Sequence, residues 1–282
     1  MAAVLDRAGV EKIVLMANGK SLEARDRTAL AAYEKYPDRV VPFLGLNGYR
    51  KFDPQLLEYL DRQLSTGKFL GMGELLSRHY SFSTVERGGA TLEAGDYTIP
   101  MDSPKVLDLM CLAAKHNVVL VVHMETTAET VPALERALRA NPNTKVIWAH
   151  QTHLKTLDGS TEQHARKADP GQIAGLLDEY ANLFVDVAPG FESRYLTRGD
   201  GNLSDPWRDL YERYNDRFVV GLDQPFLEQW GDVGRFVTRA NLVRRWLSQL
   251  SPAAQRKLAT ENMERILGLE LSSGRECQYL TR

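Results

Sequence analysis

Four side chains able to hold a metal ion or move a proton stand at the carboxyl ends of apolar runs. Glu74 follows Phe69-Leu70-Gly71-Met72-Gly73, and His123 follows Val118-Val119-Leu120-Val121-Val122. His150 follows Lys145-Val146-Ile147-Trp148-Ala149, and Asp223 follows Arg217-Phe218-Val219-Val220-Gly221-Leu222. A run that is apolar throughout and turns chemical only at its carboxyl end is how a buried parallel strand presents a functional group. Neutral imidazoles and carboxylates are the usual protein donors to a Zn²⁺ or Mn²⁺ centre. Each residue also has a plainer reading. His123 could end its strand with a hydrogen bond, Glu74 could pair with Arg78, and His150 and Asp223 could cap loops. Those readings would have to hold at four strand ends at once, so the joint pattern favours a site.

The elements that would position them alternate strictly. Lys12–Met16, Val40–Leu46, Phe69–Leu75, Val118–Val122, Lys145–His150, Leu183–Val187 and Arg217–Asp223 read as strands. Helical patterns lie between them, many opening on a polar residue followed by proline: Asp53-Pro54, Ser103-Pro104, Asp169-Pro170, Asp205-Pro206 and Ser251-Pro252. The first residues read as the end of a helix that closes at Gly9. Seven strands spaced by about 25 to 50 residues, with helices between, predict parallel βα units. A barrel brings all strand carboxyl ends to one face. The alternative, a doubly wound open sheet, usually shows a glycine-rich phosphate loop. Gly71-Met72-Gly73 comes nearest and lacks the third glycine.

Composition narrows the class. The chain has 282 residues and a formal net charge of −2, with no basic or acidic block. This argues against a nucleic-acid or membrane surface. No apolar run is long enough to span a bilayer. Two cysteines, Cys111 and Cys277, are too few for a disulfide framework, which makes a reducing, cytoplasmic setting the default. The opening residues lack the pattern of a signal peptide, although one upstream of Met1 stays open.

In order, these stretches resemble the amidohydrolase superfamily, and most closely its amidohydrolase-related (amidohydrolase 2) branch. The resemblance rests on Ala8–Leu15, Gly71–Leu75, Val121-Val122-His123, Trp148-Ala149-His150, Val220–Pro225 and the closing stretch Asn262–Leu269. It covers nearly the whole chain. It implies one domain over residues 1–282, an α/β fold of the (β/α)8 TIM-barrel type, and one or two divalent metals, Zn first and Mn second. It implies His123 and Asp223 as metal ligands and His150 as a ligand or a polarising group. Glu74 falls where several relatives place another ligand.

The resemblance also implies a small-molecule substrate and a metal-activated water that attacks an amide, ester or lactone. Asp223 would carry the proton and His150 would polarise the carbonyl. The same branch holds non-oxidative decarboxylases, which is the second reading; a non-catalytic binding protein on a damaged barrel is the third. Arg78, His79, Arg194 and Trp230 are candidate substrate contacts. A homo-oligomer is left open.

One feature departs from the family pattern. The H-x-H pair expected at the end of strand one is absent, and the opening residues read as the inside of the first helix. Three expectations follow: a missing first strand, a lineage that completes the site with Glu74, His79 or His153, or a relative that has lost its metal. A seven-stranded barrel would expose two strand edges, so missing residues or a neighbouring subunit would have to pair there.

Overall fold

The computed structural model describes residues 1–17, 21–46, 54–79, 97–126, 129–150, 170–189, 196–224 and 233–268. Among these, the strands are β1 (Ile13–Met16), β2 (Val40–Gly45), β3 (Gly71–His79), β4 (Tyr97–Thr98), β5 (Val119–Met124), β6 (Lys145–Ala149), β7 (Leu183–Val187) and β8 (Phe218–Val220). The helices are α1 (Ala2–Ala8), α2 (Leu22–Lys35), α3 (Pro54–Leu64), α4 (Pro104–Lys115), α5 (Thr130–Ala140), α6 (Pro170–Glu179), α7 (Asp205–Arg213), α8 (Val233–Leu247), α9 (Pro252–Arg256) and α10 (Asn262–Gly268). A π-helical turn, Lys257–Glu261, joins the last two.

The parallel strands run β1-β2-β3-β5-β6-β7-β8 across the sheet in chain order, and β4 pairs antiparallel with β3. That order excludes a doubly wound sheet, whose order reverses at a switch point. The result is an incomplete (β/α)8 barrel. Gly71 and Gly73 belong to the sheet, because a side chain at either would collide with the ring of Phe43 or with Val121.

Alternation along the strands sorts the apolar residues into two layers. Leu120, Val122, Val146, Trp148, Val185 and Val187 pack outward in the cluster that includes the helices. Phe43, Val119, Val121, Ile147, Ala149, Phe184 and Val219 fill the inside of the curl. Ile266 of α10 joins that inner cluster with Met263 and Leu267, so the last helix closes the floor. Lys145 is fully buried there, and its ammonium donates to the carbonyls of Ile266 at 2.8 Å and Asn117 at 3.0 Å.

Helix ends follow the sequence signals where they are described. Gly9 takes the left-handed conformation (φ 59°) after α1, as a helix terminus asks of glycine. Ser251 accepts the Ala254 amide at the start of α9. Ser103 stands before Pro104 without a side-chain cap bond, so only its backbone carbonyl serves the helix start. Asp53 and Asp169 lie outside the described residues.

One expectation is corrected. Strand three does not stop at Leu75; it continues to His79 because β4 pairs with its far end at Arg78 and His79. Glu74 is therefore inside a strand rather than at its end.

Candidate metal centre

Glu74 reaches the inner face through a β-bulge. Met72 is opposite Leu120 and Leu75 is opposite Val122, so Gly73 and Glu74 together face the single residue Val121. Met72 and Leu75 both pack outward. The extra residue lets Glu74 turn toward the curl, which is what a bulge does to a side chain beside a site.

His123 needs no such device. It continues the inward series Val119, Val121, His123 on β5 and is almost fully buried. His150 does. Ile147 and Ala149 point inward, so the next residue of a regular strand would point out. His150 instead has φ 59°, a left-handed conformation that ends β6 and re-aims the ring. Asp223, beyond β8, has φ 43°. Histidine and aspartate are among the few residues that tolerate this region.

These devices bring three side chains from adjacent strands to one point. Glu74 Oε1 lies 3.2 Å from His123 Nδ1 and 2.8 Å from His150 Nε2. The two rings meet edge to face at 5.3 Å. One atom from each of the three residues falls within 4.8 Å of the others. Asp223 Oδ1 is 3.8 Å from His150 Nε2, and its Oδ2 is 4.0 Å from Arg239 Nη1. Arg239 also donates to the Leu222 carbonyl at 2.7 Å, which fixes the backbone just before Asp223.

Two carboxylates that the sequence reading passed over stand behind the rings. Glu125 Oε1 is 3.5 Å from His123 Nε2, and Glu125 has no solvent exposure. Asp186 accepts the His150 backbone N–H and lies 3.8 Å from its Nδ1. Gly221 makes room for Asp186, since a Cβ there would come within 2.6 Å of its Oδ2. Both were detectable by parity. Glu125 stands two residues after His123, at the place where the inward series of β5 would continue, and Asp186 alternates with the outward Val185 and Val187.

Without a cation, these groups hold each other's charge. Burial works against ionised Glu74, but the charge of His150 and the hydrogen bond from His123 outweigh it. They hold its carboxyl well below the usual range. Burial also opposes a charged His123, yet the hydrogen bonds to Glu125 and Glu74 raise its pKa to about 9. His150 is likewise raised against its burial, by the charges of Asp223, Glu74 and Asp186. Burial pushes Asp186 up to about 6.

The donor chemistry fits a divalent cation. One carboxylate and two imidazoles converge, and the carboxylates of Glu125, Asp186 and Asp223 surround them. A cation can replace the imidazole protons and answer the surplus of negative charge.

Of the candidate substrate contacts, Arg78 is buried in β3, and its carbonyl accepts the Glu125 N–H at 3.3 Å. Arg194, Trp230 and the side chain of His79 lie outside the described residues, as does His153. The pairing of Glu74 is with the two histidines.

The chain matches a family model described as amidohydrolase over residues 2–269. No curated protein sequence matches it. Among solved structures, it is similar to 2,6-dihydroxybenzoate decarboxylase from Rhizobium, with a TM-score of 0.59 and 14% identity over 94% of this chain and 86% of that one. It is similar to dihydroxybenzoic acid decarboxylase from Polaromonas sp. JS666 with bound manganese, with a TM-score of 0.55 and 16% identity over 99% and 87%. An amidohydrolase from Burkholderia multivorans with bound zinc gives a TM-score of 0.56 and 12% identity over 95% and 87%. At these identities the likeness to the solved structures is one of fold.

Proposed function

We infer that the chain, which belongs to the amidohydrolase family, is a metal-dependent enzyme forming one domain, and that it hydrolyses an amide, ester or lactone bond of a small molecule. The observation that carries this reading is the convergence of Glu74, His123 and His150 beside Asp223. Glu74, His123 and His150 would hold the cation, Zn first and Mn second, with Asp223 at its edge. When bound there, such an ion supplies Lewis acidity and makes water a nucleophile near neutral pH.

The chain's own residues do the rest. Asp223 takes a proton from the attacking water at Oδ1 and returns it to the departing nitrogen or oxygen. Arg239 keeps that carboxylate in place through the Leu222 carbonyl. Where His150 stays off the cation, with Glu74, His123 and Asp223 holding it, its protonated ring donates toward the carbonyl oxygen as negative charge develops there. Arg78, His79, Arg194 and Trp230 remain candidates for binding the substrate.

A second reading is favoured by the names of two similar structures, both decarboxylases of dihydroxybenzoates. In that case the bond between the ring carbon and the carboxylate breaks, carbon dioxide leaves, and His150, left off the cation, and Asp223 serve the proton transfer to the carbon. A reducing, cytoplasmic setting suits the buried thiol of Cys111. No described helix is long and apolar enough to cross a membrane.

The test is metal content after purification without chelators, followed by turnover of ester, lactone, amide and hydroxybenzoate panels. About one ion per chain, with hydrolysis products and no carbon dioxide, supports the first reading. Carbon dioxide release supports the second. Failure to hold or regain a divalent ion would overturn both.

A further inference from the structure

This inference rests on the metal-centre reading and assigns the ring atoms. We propose that Glu125 is the positioning residue of His123: it accepts the Nε2 proton and leaves Nδ1 as the atom that faces the cation.

The geometry carries the assignment. His123 presents Nδ1 to Glu74, at 3.2 Å, on the side where His150 also converges. Its Nε2 points the other way, to Glu125 Oε1 at 3.5 Å. An imidazole offers one nitrogen to a metal and donates from the other. A carboxylate behind a metal-bound histidine fixes both its tautomer and its orientation.

Glu125 is built for that place. It lies two residues beyond His123, just past the end of β5, with no solvent exposure. Its backbone is held from both sides: its N–H donates to the Arg78 carbonyl at 3.3 Å, and its carbonyl accepts the Thr130 hydroxyl at 2.8 Å. The backbone that carries the carboxylate is thus held by β3 and α5, independently of the ring it meets. Direct ligation by Glu125 fits less well, because the converging donor atoms are those of Glu74, His123 and His150, and Glu125 stands on the far side of the ring from them.

Tests on the full chain use Zn²⁺ and Mn²⁺ as probes, with dissociation constants from chelator competition, for wild type, Glu125→Leu and Glu125→Gln. Glu125→Leu should weaken binding by about 10- to 100-fold. Glu125→Gln should restore most of the loss, because an amide oxygen accepts the same proton. Nitrogen NMR of the zinc-loaded wild type should show His123 protonated at Nε2. Thermal melts of the metal-free proteins check that each variant folds.

Unchanged affinity in a folded Glu125→Leu variant would overturn the proposal, as would a Glu125→Gln variant as weak as the leucine one, or an Nδ1-protonated ring. The NMR result stands even if the leucine variant does not fold. Failure of the wild type to bind either ion would instead overturn the metal-centre reading, and this assignment with it.

Discussion

At the scale of single residues, the site is a contest between protons and a cation for the same nitrogens. His123 is raised to about 9 by Glu125 and Glu74 acting against burial. In the metal-free protein this pairing stabilises the fold fully below the ring's ordinary pKa near 6.5. The stabilisation is lost as pH rises through about 9. Metal binding runs the opposite way, since a ring must lose its proton to become a ligand. Affinity for Zn²⁺ should therefore increase between pH 6 and pH 9, with proton release on binding. Titration calorimetry in buffers of different ionisation enthalpy would measure that release. A pH-independent affinity would mean that neither histidine is a ligand. His123→Ala should lose the ion at every pH while retaining its fold.

At the scale of elements, the site depends on one bulge and two left-handed residues, and this marks the limit of what the sequence discloses. His123 was legible as the residue that ends an apolar run; its inward direction follows from the alternation of β5. Asp223 and His150 were legible as strand ends, but the turn that swings His150 inward was not, because φ is not written in residue type. Glu74 was legible as an acid after an apolar run. Its bulge, and the continuation of β3 to pair with β4, were not, since both depend on which strands become neighbours. Glycine at position 73 is the local requirement: a Cβ there would stand 2.7 Å from Val121 Cβ and 2.8 Å from the Val121 carbonyl oxygen. Gly73→Ala must push β3 away from β5, an overpacking cost of about 1–3 kcal/mol. It should also move Glu74 off the two histidines. Denaturant melts would read the first effect and Zn²⁺ competition the second. A stable variant with wild-type affinity would show that the bulge does not place Glu74.

At the scale of the whole molecule, the curl is open on one side. Among the described residues, β1 pairs only with β2 and β8 only with β7. Every residue of β1 is half-buried, whereas every residue of β5 is buried. The helical layer nevertheless closes over this seam. Leu5 and Ala8 of α1 pack on Phe236 and Ala240 of α8, and Arg244 donates to the carbonyls of Ala8 and Gly9. Exposed edges open more readily than paired interior strands. Amides of β1 should therefore exchange with solvent far faster than those of Leu120 and Val122 in β5. The candidate ligands come from β3, from β5 and from the end of β6, three neighbours remote from the seam. A cation bound by them ties the centre of the sheet together and stabilises it by mass action. Saturating Zn²⁺ should slow exchange in β3, β5 and β6 and leave β1 nearly as it was. Hydrogen-exchange mass spectrometry with and without the ion separates the two regions. Equal slowing in β1 would mean that the seam and the metal centre open as one unit.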